Sequence, residues 1–265
     1  TLARETHEAR VSTRDPGHRR VERAMGTMIS LYLPDGGARS QAAGAAFAWL
    51  HEVDDRFSPF KPESEVSRLM RGETEPAAVS ADLAEILEIA EAVELLSNGA
   101  FDIRRHREDG APDPTGVVKG WSVDRAGAIL AGGGIERFYI SAGGDVLVRG
   151  GSAWGERWSI GIAHPDAAEA VALVLRADAL AVATSGTTER GKHIVDGRDR
   201  SVADELLTVT VAGPSLARAD AYATTAFAMG HPGLRWIDLM PGYAAAGITH
   251  ERRLITTRGL DRYCA

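Results

Sequence analysis

The sequence predicts an α+β protein with a largely antiparallel sheet core against which helices pack. Strand-like stretches meander between positions 138 and 184, and helical patterns are interspersed on either side. No long linker and no repeat interrupts the 265 residues. We therefore expect a single compact unit at 21–265, preceded by a polar, mobile segment at 1–20.

Periodicity and capping residues define the elements of the first half. Ser80 is a good N-cap for an acidic helix, and Asn98-Gly99 is a typical stop after it. The two prolines after the first helix forbid regular structure there. The predicted elements are a strand at 26–34, a helix at 38–57, a loop at 57–64, a helix from 80 to about 97 and a helix at 121–130.

The second half is dominated by strands. The stretch 206–212 is strongly β-branched, and the helix after it has Pro214 near its start and Gly230 at its end. The predicted strands are 138–141, 146–148, 158–163, 170–175, 179–184, 206–212, 243–249 and 253–257, and the predicted helices are 214–230 and 234–240.

Composition and charge argue against several classes of function. The net charge of −7 argues against a nucleic-acid binder that works by phosphate neutralisation. The sole Cys264 excludes an intrachain disulfide and a Cys-rich metal site. No apolar run approaches the ~20 residues of a transmembrane helix, and the polar first residues lack a signal core. We expect a cytoplasmic protein, with a periplasmic or membrane-anchored location as the alternative if a leader was removed.

The most informative motif is D-P-T-G-V-V-K-G-W-S-V-D at 113–124. Two glycines bracket Lys119, and a helical pattern follows from Trp121. A glycine-containing turn at a helix N-terminus offers free N–H groups and a positive dipole end to a phosphate. A strand-to-helix turn with a solvated lysine explains the same residues, so both interpretations stay open.

Two turns are further candidates. The stretch N-G-A-F-D at 98–102 places a Gly-Ala turn beside an aromatic ring and an acid, against which a flat ring could lie. The alternative there is a simple helix exit. The turn A-G-G-D at 142–145 is favoured as a hairpin that needs positive φ.

Two polar clusters complete the candidates. In T-S-G-T-T-E-R-G-K-H-I-V-D at 184–196, His193 could accept a proton and Asp196 could hold its tautomer, although a structural histidine is the commoner case. Asp220 and Thr224 lie four apart on a predicted helix and therefore on one face. This hard-oxygen pair suits Mg²⁺, while an acid facing the helix dipole is the alternative. Together these features indicate a diphosphate ligand, Mg²⁺ and chemistry at phosphorus, without naming the ligand.

With these motifs in order, the chain resembles the ApbE family, the FAD:protein FMN transferases. The resemblance extends from Met25 to about Thr249. The matching stretches are M-G-T at 25–27, F-S-P-F-K-P-E-S-E-V-S-R-L at 57–69, A-F-D at 100–102, the motif at 113–124, G-G-D at 143–145, T-S-G at 184–186, H-I-V-D at 193–196 and D-A-Y-A-T at 220–224.

The resemblance implies an ApbE-like, T-fold-related architecture and an activity. FAD would bind with its pyrophosphate at Mg²⁺, and a Thr or Ser hydroxyl of an acceptor flavoprotein would attack the FMN phosphorus with AMP as the leaving group. The implied FAD contacts are Met25, Phe60, Ala100, Phe101, Asp102, Asp113, Lys119 and Val195. The implied metal residues are Gly116, through its carbonyl, Asp220 and Thr224, with Ala223 beside the ion. His193, oriented by Asp196, would be the catalytic base.

Departures from the family pattern keep two other functions open. The usual D-P-x-T-G reads D-G-R-D-R at 196–200, beside the expected base, so an FAD pyrophosphatase with water as acceptor is one alternative. Ala223 replaces a second aspartate of some members, so we expect weaker Mg²⁺ affinity. A non-catalytic FAD-binding protein is the other alternative, although intact His193, Asp220 and Thr224 argue against it.

Overall fold

Ten strands and six α-helices occur in the described part of this computed structural model, residues 17–36, 40–104, 112–152, 155–186 and 194–264. The strands are β1 (His18–Ala24), β2 (Thr27–Leu33), β3 (Phe138–Ala142), β4 (Asp145–Arg149), β5 (Trp158–His164), β6 (Ala167–Ala177), β7 (Leu180–Gly186), β8 (Leu206–Gly213), β9 (Ala244–Thr249) and β10 (Leu254–Thr256). The helices are α1 (Gln41–Phe57), α2 (Glu65–Met70), α3 (Ala81–Leu96), α4 (Thr115–Gly132), α5 (Leu216–Met229) and α6 (His231–Ile237).

Eight of these strands form one sheet in the order β1-β2-β3-β4-β7-β8-β9-β10, and each neighbouring pair is antiparallel. The remaining two, β5 and β6, pair with each other as a separate hairpin. The expected α+β class with a largely antiparallel sheet is therefore confirmed. None of the helices in the described residues has the length and hydropathy of a membrane span.

The two faces of the large sheet bury different cores, because alternate residues of a strand point to opposite sides. One face carries residues such as Ile140 and Val211 into a core that includes Phe47 and Phe227 from the helices. The other face carries residues such as Val148 into a smaller core with Trp158 of the β5–β6 hairpin. The helices and the hairpin thus cover opposite faces of the sheet.

Most predicted elements occur near their expected positions, but several differ in extent or were not predicted. Strand β1 begins at His18, inside the segment expected to be mobile, and it was missed because its alternation is mostly charged. Such charges are common on an edge strand, and β1 lies at an edge of the sheet. Helix α2 was also missed, although Ser64 caps it by accepting from the Ser67 backbone N–H at 2.9 Å. Helix α6 is His231–Ile237 rather than 234–240.

Candidate active site

The motif at 113–124 is helical from Thr115, so the expected turn before a helix at Trp121 is wrong. Asp113 lies just before the helix, and its Oδ1 accepts from the Thr115 backbone N–H at 3.0 Å and from the Thr115 hydroxyl at 2.6 Å. The helix N-terminus therefore already has an acidic partner at the place where the sequence suggested a phosphate. Lys119 lies within the helix rather than on a loop.

Gly120, one of the four glycines of α4, lies where this helix contacts α5. A Cβ atom at Gly120 would lie 2.5 Å from the Leu216 carbonyl oxygen and 2.7 Å from the Ala217 Cα. The backbones of α4 and α5 therefore approach each other at a distance that only glycine allows. Since Lys119 is next to this contact, its side chain can reach groups on α5.

Asp124 fixes the start of α5 against α4. Its carboxylate accepts from the Ser215 hydroxyl at 2.8 Å and from the Leu216 and Ala217 backbone N–H groups at 2.9 and 3.0 Å. Burial raises the pKa of Asp124, and these three donors oppose the rise. The sequence interpretation missed this role, although an acid one turn beyond Lys119 and an N-cap Ser215 before a helix were visible signals.

Lys119 lies between two carboxylates from different elements. Its ammonium forms an ion pair with Asp145 at the start of β4, and it lies 3.5 Å from Asp220 Oδ2 on α5. Both acids are buried, with 2% and 13% of their side chains exposed, whereas Lys119 keeps 31% exposed. A lysine in this position is a point charge that can face solvent, and so a ligand, while its carboxylate partners stay in place.

A backbone N–H group and two hydroxyl groups of neighbouring residues extend this cluster. Asp145 Oδ1 accepts from the Thr184 backbone N–H at 3.1 Å, and the next residue, Ser185, has its hydroxyl 3.1 Å from that of Thr224. Thr224 is one turn from Asp220 on α5. We call the set Lys119, Asp145, Thr184, Ser185, Asp220 and Thr224 the polar ring.

The polar ring has donors that fit Mg²⁺. Within the described residues, no group of three or more His, Cys, Asp and Glu side chains forms a metal cage. Mg²⁺ does not need one, since it keeps several waters and uses one or two carboxylates together with substrate phosphates. The Asp220 carboxylate and the Thr224 hydroxyl on α5, together with the Ser185 hydroxyl of β7 beside Thr224, are hard oxygens that match this requirement. Ala223 is buried and can offer only its carbonyl.

Gly116 lies on the face of α4 that carries Lys119, since the two residues are three apart on the helix. A Cβ at Gly116 would lie 3.6 Å from the Phe101 ring. The motif at 113–124 therefore meets the turn at 98–102, as well as α5. Lys119 lies 3.5 Å from Asp220 Oδ2, and Gly116 faces Phe101.

Hydrogen bonds at Phe101 and at Asp102 fix the turn at 98–102. Asn98 and Gly99 have positive φ, as expected for a helix stop, and the Phe101 backbone N–H donates to Ser97 Oγ at 3.0 Å. The Asp102 carboxylate accepts from the Arg104 backbone N–H at 2.7 Å. This turn is therefore preformed, with Ala100 and Phe101 buried.

The segment 195–202 packs directly on this turn. The Gly197 backbone N–H donates to the Ala100 carbonyl at 3.0 Å, and a Cβ at Gly197 would lie 2.3 Å from the Gly99 carbonyl oxygen. Val195 and Val202 form an isolated antiparallel bridge at the base of the segment. The missing proline of the family pattern is thus replaced by a glycine that makes a close backbone contact.

Asp196 is buried, and its carboxylate accepts from the Arg198 backbone N–H at 2.9 Å and the Arg198 Nε at 2.8 Å. The Arg198 Nη2 forms an ion pair with the other oxygen, and this bonding raises the pKa of Arg198. The predicted base, His193, lies outside the described residues. The pairing of His193 with Asp196 stays a prediction.

Met25 and Phe60 occupy different environments. Met25 has a left-handed backbone (φ 51°), donates its N–H to Asp54 Oδ1 at 2.9 Å, and has its sulfur 3.4 Å from the Ser122 hydroxyl of α4. Met25 therefore lies beside helix α4. Phe60 is 91% exposed on the loop after α1, so its ring is available to a ligand but is not packed against the polar ring.

Sequence reasoning noticed the motifs of Asp145 and Ser185 but assigned neither a place in the site. The G-G-D turn is indeed a hairpin, with φ of 56° and 88° at Gly143 and Gly144. The acid that follows it is nevertheless buried beside Lys119. A buried acid directly after a hairpin turn was the signal that could have identified it.

A cavity of about 510 Å³ lies beside the other end of the α4–α5 contact, between α3, α4 and α5. It is lined by Glu88, Trp121, Asp124, Arg125 and Arg218, among others, and not by Lys119 or Asp220. We place the candidate site at the polar ring because the buried charges and hydroxyls converge there. Arg125, by contrast, is already paired with Glu85.

Comparison with known proteins bears on the family and the fold of this chain. The profile of the ApbE family matches residues 25–107 and 103–246. The FAD:protein FMN transferase of Vibrio cholerae is 26% identical over 237 residues, covering 68% of this chain and 71% of that protein. The one from Haemophilus influenzae is 24% identical over 276 residues, covering 78% and 79%. The match to the Escherichia coli protein of the same name is shorter, covering 52% of this chain and 42% of that protein.

Solved structures show the same fold. The flavin transferase ApbE from Vibrio cholerae superposes with a TM-score of 0.82 at 21% identity, covering 94% of this chain and all of that one. An ApbE protein from Thermotoga maritima gives a TM-score of 0.82 at 20% identity, with 94% and 99% covered. The sheet with its helical layer is therefore a shared architecture.

Proposed function

The chain belongs to the ApbE family, and on this premise we propose that it is a transferase that moves FMN from FAD to a Thr or Ser hydroxyl of an acceptor protein. AMP is the other product, and the reaction depends on Mg²⁺. The curated relatives carry the name FAD:protein FMN transferase, which supports flavin transfer in general. The acceptor hydroxyl, the release of AMP and the dependence on Mg²⁺ are further parts of the proposal.

The observation that carries the proposal is the position of Lys119 between Asp145 and Asp220. Transfer at phosphorus builds negative charge on the phosphoryl oxygens and on the leaving group, and preorganised cations stabilise it. A partly exposed ammonium beside a carboxylate and two hydroxyls provides such a cation together with the ligands for a second one. A flavin-binding protein without this chemistry would not need a buried charge cluster.

The proposed reaction exchanges one phosphate ester for another. The acceptor hydroxyl oxygen forms a bond to the FMN phosphorus, and the bond from that phosphorus to the bridging pyrophosphate oxygen breaks. AMP leaves with the electron pair, and the hydroxyl proton passes to His193. Asp196, three residues after His193, is proposed to accept a hydrogen bond from the imidazole and so hold its tautomer.

Mg²⁺, when bound, would neutralise charge on the pyrophosphate oxygens and favour departure of AMP. We propose that the Asp220 carboxylate and the Thr224 hydroxyl hold it, with carbonyl oxygens of Gly116 and Ala223 close by. The fit of the hard oxygens on α5 supports this assignment. Ala223 adds no side-chain charge, so we expect modest affinity for the ion.

FAD is proposed to lie between the polar ring and the turn at 98–102. Lys119 would contact the pyrophosphate. The other proposed contacts are Met25, Phe60, Ala100, Phe101, Asp102, Asp113 and Val195. The contact between Gly116 and Phe101 supports a continuous surface from the phosphate end to this turn. The exposed Phe60 ring offers an aromatic face to a flat ligand.

The test is mass spectrometry of candidate acceptor proteins after incubation with FAD and Mg²⁺. We expect an added FMN on a Thr or Ser of the acceptor and an equal amount of AMP, both abolished by EDTA. His193→Ala should lower the rate by about 10²–10⁴-fold if it is the base, and Asp220→Ala should shift the Mg²⁺ dependence to higher concentration. Intact FAD with every acceptor, under conditions where the folded protein binds it, would refute the transferase proposal.

A second candidate function is hydrolysis of FAD to FMN and AMP. The segment at 196–200 departs from the family pattern beside the proposed base, and its Asp196 carboxylate is paired with Arg198. This departure favours a different acceptor, such as water. The same experiment separates the two, because hydrolysis releases free FMN without an adduct on any acceptor.

A further inference from the structure

We propose that Asp145 is a positioning residue that holds the Lys119 ammonium beside the metal ligand Asp220 but not on it. This inference rests on the proposed function, since it concerns how the site receives FAD and Mg²⁺. It adds a residue for which neither the ApbE resemblance nor the sequence motifs gave a role in the site.

The anchoring of Asp145 supports this role. Its side chain is 2% exposed, and Oδ1 is fixed by the Thr184 backbone N–H at 3.1 Å. Oδ2 is buried, lacks an aligned hydrogen bond and has the Lys119 ammonium as its ion-pair partner. One oxygen therefore locks the carboxylate to β7, and the other is available to set the position of a cation.

The two ion pairs of Lys119 are unequal. The ammonium is in close contact with Asp145, whereas Asp220 Oδ2 lies 3.5 Å away. Asp220 is also the more exposed acid, at 13% against 2%. The Lys119 ammonium is therefore held closer to Asp145 than to Asp220. Without Asp145, the flexible lysine would move onto Asp220 and compete with the metal.

This role predicts an effect opposite in sign to that of charge alone. Asp145→Asn removes one negative charge near the pyrophosphate site, which by Coulomb's law should strengthen binding of an anion such as FAD. If Asp145 instead positions Lys119, the same substitution should weaken FAD binding, because the ammonium no longer points to the pyrophosphate. We expect a loss of about 10- to 100-fold, the range found for residues that orient a ligating group.

The experiment is a titration with FAD in which binding is measured by flavin fluorescence, first with EDTA and then with Mg²⁺. The proteins compared are wild type, Asp145→Asn, Lys119→Met and the double variant. We expect weaker binding by Asp145→Asn and no further loss when this change is added to Lys119→Met, since the effect passes through the lysine. Asp35→Asn is the matched control, because it removes one carboxylate from an exposed pair with Arg137.

Two results would overturn the inference. Tighter FAD binding by Asp145→Asn would indicate a charge effect alone, and unchanged binding would show that Asp145 does not position Lys119. An equal loss in the Lys119→Met background would show that Asp145 acts on the fold and not through the lysine. If Asp145→Asn does not fold, Asp145→Ser keeps an acceptor for the Thr184 N–H. If Lys119→Met does not fold, the sign of the Asp145→Asn effect still decides.

Failure of the proposed function looks different. If the folded wild type binds no FAD with or without Mg²⁺, the FAD site itself is wrong. If wild type binds FAD and Asp145→Asn binds it equally well, only the positioning role is wrong.

Discussion

The two ends of the α4–α5 contact both bury carboxylates, but they satisfy them in different ways. At one end, Asp124 accepts from three donors of the first turn of α5, two of them backbone N–H groups. At the other end, Asp145 and Asp220 share the ammonium of Lys119. Backbone donors are fixed by the fold, whereas a lysine side chain can turn towards a ligand.

The difference indicates that Asp124 serves the stability of the fold, whereas the Lys119 ion pairs serve ligand binding and catalysis. Removal of the backbone-bonded acid should cost stability, because fixed donors are left unpaired. Removal of the lysine pair should cost ligand binding and rate. Four changes to the protein or its conditions, from the largest expected effect to the smallest, distinguish these two roles.

The largest effect is expected for replacement of the ion pair by a neutral pair. Lys119→Met combined with Asp145→Asn should lower kcat/KM for FMN transfer by about 10²–10³-fold, as for loss of one stabilising group of a transition state. Its free energy of unfolding should stay within about 1 kcal/mol of wild type, because buried ion pairs add little over neutral residues. Urea unfolding and product mass spectrometry measure the two quantities. A large loss of stability would place the pair among the structural contacts.

The next effect concerns the other end. Asp124→Ala should lower the free energy of unfolding by about 2–4 kcal/mol, because it removes the cap of α5 and leaves buried donors unpaired. Asp124→Asn, which keeps an acceptor, should lose less. Urea denaturation gives both values. If Asp124→Ala instead abolishes FAD binding without loss of stability, the two ends do not differ as described.

A third prediction concerns the close approach of the helices. Gly120→Ala should cost about 1–3 kcal/mol, since a Cβ there meets the Leu216 backbone at 2.5 Å. It should also weaken FAD binding, because α4 and α5 move apart at the residue next to Lys119. Gly44→Ala in α1 is the matched control: nothing lies within 4 Å of its Cβ, so it should gain about 0.4–1 kcal/mol. Thermal unfolding of both variants decides.

The smallest expected effect is a pH dependence. The pKa of Asp124 is raised above the ordinary 3.8 by burial, so the folded state holds this proton more tightly than the unfolded state. The contribution of Asp124 to stability should therefore fall as pH rises from about 4 to the raised pKa and stay constant above it. Unfolding free energies at a series of pH values, wild type minus Asp124→Asn, should show this slope. A difference that rises with pH would mean that the pKa is lowered.

Local signals in the sequence predicted most of the fold. Ser80 caps α3 with its hydroxyl as expected, accepting from the Leu83 N–H, and Gly230 ends α5 with positive φ. The charged β1 was missed because its strand character depends on pairing with β2 along its full length. The start of α4 was misplaced because Gly116 and Gly120 suggest a turn when α5 is not considered.

The candidate site was predicted in part for similar reasons. The four-residue spacing of Asp220 and Thr224 follows from helix geometry alone and was found. The partnership of Asp145 with Lys119 was not, since these residues are 26 positions apart on different elements and meet only when β4 and α4 pack.

The sequence by itself determined the class of fold, the caps and turns, and which residue types carry chemistry, because those depend on neighbours along the chain. It also carried enough ordered motifs to indicate the family. Only the tertiary structure decided which carboxylate is saturated by backbone and which shares a lysine. That distinction depends on the distance between α4 and α5. Gly120 permits the short distance because it has no Cβ, but a glycine in the sequence does not show which element it approaches.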